Sequence, residues 1–396
     1  MSVLLASKGF SPALIGLAIG LGSVAYSFAL PAWGHVGDVV AGPRRTLQMA
    51  CLPAVIFALG LAAPLPVPIW IMCVAGISAS AGPVLALTDA IAIPIARVSR
   101  DYSALRLISS GGAGAGAIFF GAVYGLTGYM PAPIFYVGTL ALTVVAAQLI
   151  PMGRDFERRK TARGTVNRPG VPLAESMPAH ARFGSVGEAL SGRPRLVAAL
   201  VAIFFVYAGL VMGATYIALR VADLGGGPAE VGLVNGVSSS FEVPGLLLGG
   251  WLIAHFGLRA TLTGSSIGMA ACVASWIFVT DPALILVSRL GTGLFFGGIC
   301  VSTVLSVARL LPGGLQATGQ TLLQATGFGF AAVVANMLGG VLYGSWGAFG
   351  VFGVAALLVG IGAAVGLVVL PDRAAERERE RGVAAPPVPV EAAPTP

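Results

Sequence analysis

Apolar residues run along this chain in long unbroken stretches, with neither a two-residue alternation nor a marked amphipathic rhythm. Each stretch approaches the ~20 residues that a helix needs to cross a hydrocarbon core. Continuous apolarity also argues against the alternating ten-residue strands of a membrane barrel. The pattern predicts eleven spans: Pro12–Trp33, Leu47–Leu61, Ile69–Ile95, Leu107–Tyr124, Ile134–Ile150, Leu196–Leu219, Val231–Ala254, Leu262–Phe278, Pro282–Ala308, Gln320–Leu342 and Phe349–Leu370. A polar stretch, Met152 to Arg195, parts the first five from the last six.

Composition agrees with a chain surrounded by lipid. Hydrophobic residues make up 56% of the 396 and charged ones 10%, with a mean hydropathy of +0.90. A soluble domain carries about 25% charged residues. A pI near 9.6 would suit a nucleic-acid binder, but the charge sits in loops beside the spans and reports topology instead. With Met152–Arg195 in the cytoplasm, nineteen of the twenty-three Lys and Arg residues lie on the inner side. Lys8 and Arg220 lie outside, and Arg106 and Arg289 fall within spans. The excess of basic residues inside fixes the expected orientation, with the N-terminus outside and the C-terminus cytoplasmic. The expected organisation is an N-terminal bundle of five helices (1–151), a cytoplasmic central loop (152–195), a C-terminal bundle of six helices (196–371) and a disordered cytoplasmic tail (372–396). That tail alternates acid and base from Arg373 to Arg381 and ends in Ala/Pro/Val repeats, which bury too little to fold. Cys51, Cys73, Cys272 and Cys300 have no ligand or redox spacing and read as core residues. Met1 to Ser11 has no basic leader or cleavage site.

A repeat underlies the pattern. Pro12-Ala13-Leu14-Ile15-Gly16-Leu17, followed by Gly20, recurs as Pro228-Ala229-Glu230-Val231-Gly232-Leu233, followed by Gly236. Each copy leads to a glycine-rich, arginine-bearing turn, Gly34 to Arg45 and Gly250 to Arg259. Parallel six-span repeats are a recurring transporter design. The second copy has a full span before Pro228, whereas only eleven residues precede Pro12. The expectation is a twelve-helix plan whose first helix is missing from this chain. A start codon placed too late is the favoured account, since Leu4 to Ser11 matches the connection Leu219 to Gly227.

At this point the sequence resembles the major facilitator superfamily. The loop Gly34-His35-Val36-Gly37-Asp38, then Gly42-Pro43-Arg44-Arg45, is similar to that family's signature between its second and third helices, with Val39 where an arginine is expected. The resemblance implies two pseudo-symmetric helical bundles, with Gly34, Asp38, Arg44 and Arg45 as a cytoplasmic latch. Within the superfamily the chain is similar to the branch of lactose permease, the nucleoside–proton symporters and the phenylpropionate permease-like proteins. Pro83 through Asp89, Arg97 to Tyr102 with Arg106, and the run Ser109 to Gly114 carry that likeness. So do Phe241-Glu242-Val243-Pro244, and Gln316 to Gln320 with Gly327, Gly339 and Gly340, closing on Trp346-Gly347.

Ionisable groups inside a bilayer are expensive and mark function by default. Asp89, Arg106, Glu242 and Arg289 are the four candidates for substrate binding. Asp89 lies about 10 Å from the inner end of its span and Arg106 near the start of the next, so the two can meet at similar depth. A structural ion pair is the plain alternative. Glu242 lies about 20 Å from the outer end of its span, where a desolvated carboxylate suits reversible protonation. With Asp89 it is the candidate for proton coupling. The resemblance implies contact between such acids and arginines and a polar substrate. Arg289 suits either a counter-ion role or a snorkelling one. The corresponding late helices hold no histidine, and Ala113 stands near the place of the galactose-stacking tryptophan, which argues against a galactoside. Ser109 to Gly114 has no preceding strand and no Walker lysine. Neither a nucleophile nor a metal or cofactor constellation is visible, so no enzyme and no cofactor are expected. The expected activity is secondary active transport of a small polar or organic solute across the cytoplasmic membrane by alternating access, coupled to protons. Solute, protons and lipid are the expected partners, nucleic acid is not, and the protein is expected to be monomeric. The alternatives are an efflux antiporter for amphipathic compounds and a non-transporting sensor or partner protein.

Overall fold

A computed structural model describes residues 1–82, 84, 87, 88, 99–149, 190–311 and 316–370. The side chains of 38, 39, 43, 99–107 and 316–318 are outside that description. So are Asp89, most of the predicted central loop and the predicted tail.

The described residues form helices α1 (Ser2–Ser7), α2 (Pro12–His35), α3 (Pro43–Ala62), α4 (Val67–Ala81), α5 (Ser99–Thr127) and α6 (Ala132–Leu149) in the first half. The second half holds α7 (Pro194–Asp223), α8 (Pro228–Phe256), α9 (Leu258–Phe278), α10 (Pro282–Leu310), α11 (Gln316–Gln324) and α12 (Ala331–Val369). Short π-helical turns, Val36–Val40 and Ala325–Phe330, follow α2 and join α11 to α12. Eight of these stretches are long and apolar enough to cross a membrane. The last of them, Gly319–Val369, breaks at Gly347 (φ 58°, ψ −146°) and so makes two crossings. With α4, which is shorter, and α5, the described helices supply eleven crossings.

Proline and small capping residues start the helices. Pro12, Pro43, Pro194, Pro228 and Pro282 stand in first turns, where a missing N–H costs nothing. Ser11 accepts from Leu14 N–H at 3.4 Å and Asp281 from Ala283 N–H at 2.8 Å. The repeat is visible in the turns as well, since Gly42 (φ 79°) and Gly257 (φ 86°) end the connections into α3 and α9. Pro244 lies inside α8, which runs through it without a break.

Packing follows the repeat. In the first half α2 lies on α4, α4 on α3 and α3 on α6; in the second, α8 lies on α10, α10 on α9 and α9 on α12. Trp33 Nε1 donates to the Ala79 carbonyl at 3.0 Å, pinning α2 to α4. The second half has one more member, α7, which packs along α12 and buries sixteen of its thirty residues. Arg220, in its last turn, donates to the carbonyls of Trp276 (3.3 Å) and Val279 (2.7 Å), groups that the end of α9 leaves unsatisfied. Among the described residues nothing in the first half takes the place of α7. There α5 meets α6 through a ring cluster, Phe120 and Tyr124 against Phe135 at centroid distances of 6.1 and 6.0 Å. Its main packing is on α8 of the other half.

Candidate functional site

Two seams join the halves, and the repeat builds both. On one, α2 descends past the first arm of α12 and the π-helical turn before it: Gly16 faces Gly340, Gly20 faces Met337, and Ser27 faces Gly329. On the other, α8 descends past α5: Ala229 faces Gly125, Gly232 faces Gly121, and Gly236 faces Gly114. Gly16 and Gly232 are the equivalent residues of the two repeat copies. A Cβ on Gly16 would lie 2.8 Å from the Gly340 Cα, and one on Gly232 2.5 Å from the Gly121 Cα. Backbone therefore meets backbone at both seams, an approach that small residues permit within a membrane. Both seams occupy the side away from the arginine-rich loops, and the first reaches past the middle of α2. Beyond Ser27, Phe28, Pro31, Ala32, Gly34 and His35 are exposed.

A polar knot ties the first seam. Asn336, 2% exposed, donates through Nδ2 to Ser23 Oγ (3.2 Å) on α2. Its Oδ1 accepts from Thr215 Oγ1 (2.7 Å) and its carbonyl from the Tyr216 hydroxyl (2.6 Å), both on α7. One side chain thus holds three helices and both halves.

Beside this knot, a cavity of ≈ 150 Å³ lies within the second half, lined by Glu242 and Arg289 with Tyr207, Trp276 and Phe296. A cavity of about that size holds one benzene-sized ring. Helical spacing assembles one wall. Val234, Ser238 and Glu242, four residues apart on α8, face Arg289 and Thr292 on α10. Arg289 Nε donates to the Val234 carbonyl at 3.0 Å, and Ser238 Oγ lies 3.2 Å from Thr292 Oγ1. Arg289 is 8% exposed; its guanidinium carbon stands 5.8 Å from the Trp276 ring centre, and Glu242 acts on it electrostatically. An arginine at such depth costs about 3 kcal/mol or more, which the carboxylate, the carbonyl and the ring offset. Trp276 is itself fixed, donating to Ser288 Oγ at 2.6 Å and meeting Phe352 edge-on at 5.3 Å.

Of the predicted site residues, the structure thus brings Glu242 and Arg289 to one cavity. Asp89 lies outside the described residues, and Arg106 is placed on α5 with its side chain undescribed. Of the predicted latch, Asp38 belongs to the π-helical turn with its side chain undescribed, and Arg45 is exposed. Gly34 is exposed and a Cβ there meets open space. Arg44 donates to the Gln148 carbonyl (2.9 Å) and to the Gln148 side chain, so it holds α3 to α6 within one half. Trp276, Tyr207, Thr215 and Asn336 escaped the sequence reading. Asn336, an amide inside a long apolar helix, was the one readable signal among them.

Comparison with known proteins bears on this geometry. The family model described as "MFS_1 like family" matches residues 1–354. The chain belongs to that family. It is a major facilitator transporter, and homology to transporters places it outside the enzymes. The chain is 27% identical to a maltose permease of Geobacillus stearothermophilus over 379 residues, 94% of this chain and 88% of that one. Its fold is similar to crystal structures of the nucleoside transporter NupG, at 14% identity. TM-scores are 0.72 for one structure and 0.71 for a point mutant, each covering 93% of this chain and 92% and 94% of the other. The major facilitator protein is an all-α, multi-pass membrane protein, as the apolar stretches predict.

Proposed function

We propose that this major facilitator protein is a proton-coupled permease for a small polar, hydroxyl-bearing solute, working by alternating access in the cytoplasmic membrane with its arginine-rich face inside. The observation that carries the reading is the placement of Glu242 and the buried Arg289 on one cavity that also holds an aromatic wall. A carboxylate accepts and a guanidinium donates, so together they match hydroxyl groups, while Trp276 and Tyr207 offer flat surfaces to a ring. Maltose and nucleosides, named for the relatives, both carry several hydroxyls on rings. Glu242 takes the proton: its neutral form relieves the pairing with Arg289 and frees that donor for solute. Asp89 and Arg106 are assigned to the first-half side of the same pathway, with Asp89 as a second proton carrier.

Alternating access is supported by the two seams. They close the molecule on the face away from the arginine-rich loops, which supports reading this conformation as the inward-facing one. Gly34, Asp38, Arg44 and Arg45 would then close the inner face in the opposite state. One chain supplies both halves, so the working unit is a monomer. Uptake of labelled maltose, glucose and uridine into proteoliposomes under an imposed proton gradient tests the reading. The expected result is gradient-driven accumulation of at least one of them, abolished by a protonophore. Accumulation of none, with only amphipathic dyes moved outward, would replace it with the efflux reading.

A further inference from the structure

Among the described residues that line the Glu242 cavity, every neutral side-chain donor is turned onto α10. Ser238, 6% exposed, and Thr292, 3% exposed, both line the cavity, with their hydroxyl oxygens 3.2 Å apart. Thr292 Oγ1 already donates to the Arg289 carbonyl, one turn earlier, at 3.0 Å. A hydroxyl has one hydrogen, so the hydrogen between the two oxygens is that of Ser238. Tyr207, on α7, repeats the arrangement. Its hydroxyl lies 3.4 Å from Thr303 Oγ1, whose own hydrogen goes to the Ile299 and Cys300 carbonyls at 3.0 Å each. Trp276, on α9, does so again: Nε1 donates to Ser288 Oγ at 2.6 Å, and Ser288 donates to the Ile285 carbonyl at 2.7 Å. Three hydroxyls of α10 thus draw donors from three neighbouring helices and pass their own hydrogens to carbonyls of α10.

We propose that Ser238 determines which solutes the cavity takes by accepting a hydrogen bond from a solute hydroxyl, with Thr292 as the positioning residue that holds it in that role. With its hydrogen committed, Ser238 Oγ keeps acceptor capacity and has no hydrogen for the solute. Glu242 follows one turn later on the same face of α8 and, when ionised, is an acceptor as well. Arg289 is the exception among the described lining residues: its Nε binds the Val234 carbonyl, and its terminal nitrogens carry further N–H groups. The solute must therefore bring a donor to Ser238. A hydroxyl does so; a keto oxygen, an ether or a fluorine does not. This inference rests on the reading of the cavity as the solute site and adds the chemistry that selects within it.

Equilibrium binding of glucose, maltose and uridine to the purified full chain, each beside analogues with one hydroxyl replaced by fluorine, tests the assignment. Fluorine stands in the hydroxyl's place without a hydrogen to donate. At one position the parent should bind the hydroxyl form more tightly by roughly 2- to 12-fold, the worth of one neutral hydrogen bond. S238A should bring that ratio close to one. T292V, which deletes the oxygen that takes the Ser238 hydrogen, should reduce the ratio at the same position, and T292S, which keeps the oxygen, should restore it. Each ratio compares two ligands on one preparation, so partial loss of folded protein leaves it unchanged. A hydroxyl preference equal in parent and S238A at every position would overturn the proposal, as would a T292V ratio equal to that of the parent. These ratios without gradient-driven accumulation would support the proposal and strike the coupled-transport reading. Binding of none of the three solutes would overturn both.

Discussion

The two halves share a repeat, a pair of turns and the same order of packing, yet their interiors differ. In the second half α7 runs along α12, and the residues that receive it are closed off: Gly339 meets Tyr216 and Met212, and Gly362 meets Val206. Ala331 and Ala335, nine and five residues before the seam glycine Gly340, are wholly buried. In the first half the equivalent seam glycine is Gly121, and the residues nine and five before it are Gly112 and Gly116. A Cβ at either of these meets nothing within 4 Å, nor does one at Gly138 on α6. Among the described residues, one repeat therefore gives a sealed bundle with a defined cavity on one side and an open helix face on the other. The seams do not depend on α7's counterpart, because they use α2, α5, α8 and α12. The Glu242–Arg289 cavity does depend on α7, which supplies Tyr207, Leu210 and Val211 to its wall.

The largest test of that contrast removes a cation from each half. Arg289→Gln leaves Glu242 beside a neutral, buried partner and should destabilise the protein by about 3–5 kcal/mol. Arg44→Gln deletes an exposed bond to Gln148 and should cost no more than about 1 kcal/mol. Thermal unfolding of the two purified variants reads the difference, and equal losses would show that the two halves are alike in this respect. A smaller effect comes from adding bulk at equivalent positions. Ala335→Leu overpacks the helix face beside α7 and should cost about 1–3 kcal/mol, while Gly116→Leu enters open space and should stay within about 0.5 kcal/mol. Matching melting temperatures for these two would break the comparison.

The smallest effect lies at the seam knot. Asn336→Leu removes its bonds to Ser23 and Thr215, and hydrogen bonds between membrane helices are worth about 0.6–1.7 kcal/mol. The closed seam should lose population by roughly 3- to 20-fold. Pulsed spin-label distances between the α3–α4 connection at Pro64 and the start of α10 at Leu284 would show a growing longer-distance component. An unchanged distribution would mean that the glycine contacts alone hold the seam shut.

Much of this architecture could be read from the chain because its causes are local or additive. Span positions follow from summed hydropathy. The seams were foreshadowed by Gly16 and Gly232 in the repeat, although the text alone assigned them no partners. Glu242 and Arg289 stood out because a charge in an apolar stretch needs a reason. Trp276 gave no such signal, since an aromatic residue in a membrane helix is ordinary until a buried arginine is found over its face. The pairing of Arg44 with Gln148 depends on how α3 meets α6 across about a hundred residues, which no local pattern encodes. The turn between the last two spans, by contrast, was legible, since the predicted break between Leu342 and Phe349 contains Gly347, whose positive φ makes the turn.

The central claim is that Glu242 couples proton movement to solute through its pairing with Arg289. The most direct measurement compares Glu242→Gln with the parent in proteoliposomes, using one transported solute in two assays. Gradient-driven accumulation should fall by at least about tenfold, as expected when a proton-transfer group is lost, while solute-for-solute exchange without a gradient continues at a measurable rate. Accumulation in the variant equal to that of the parent would contradict the account.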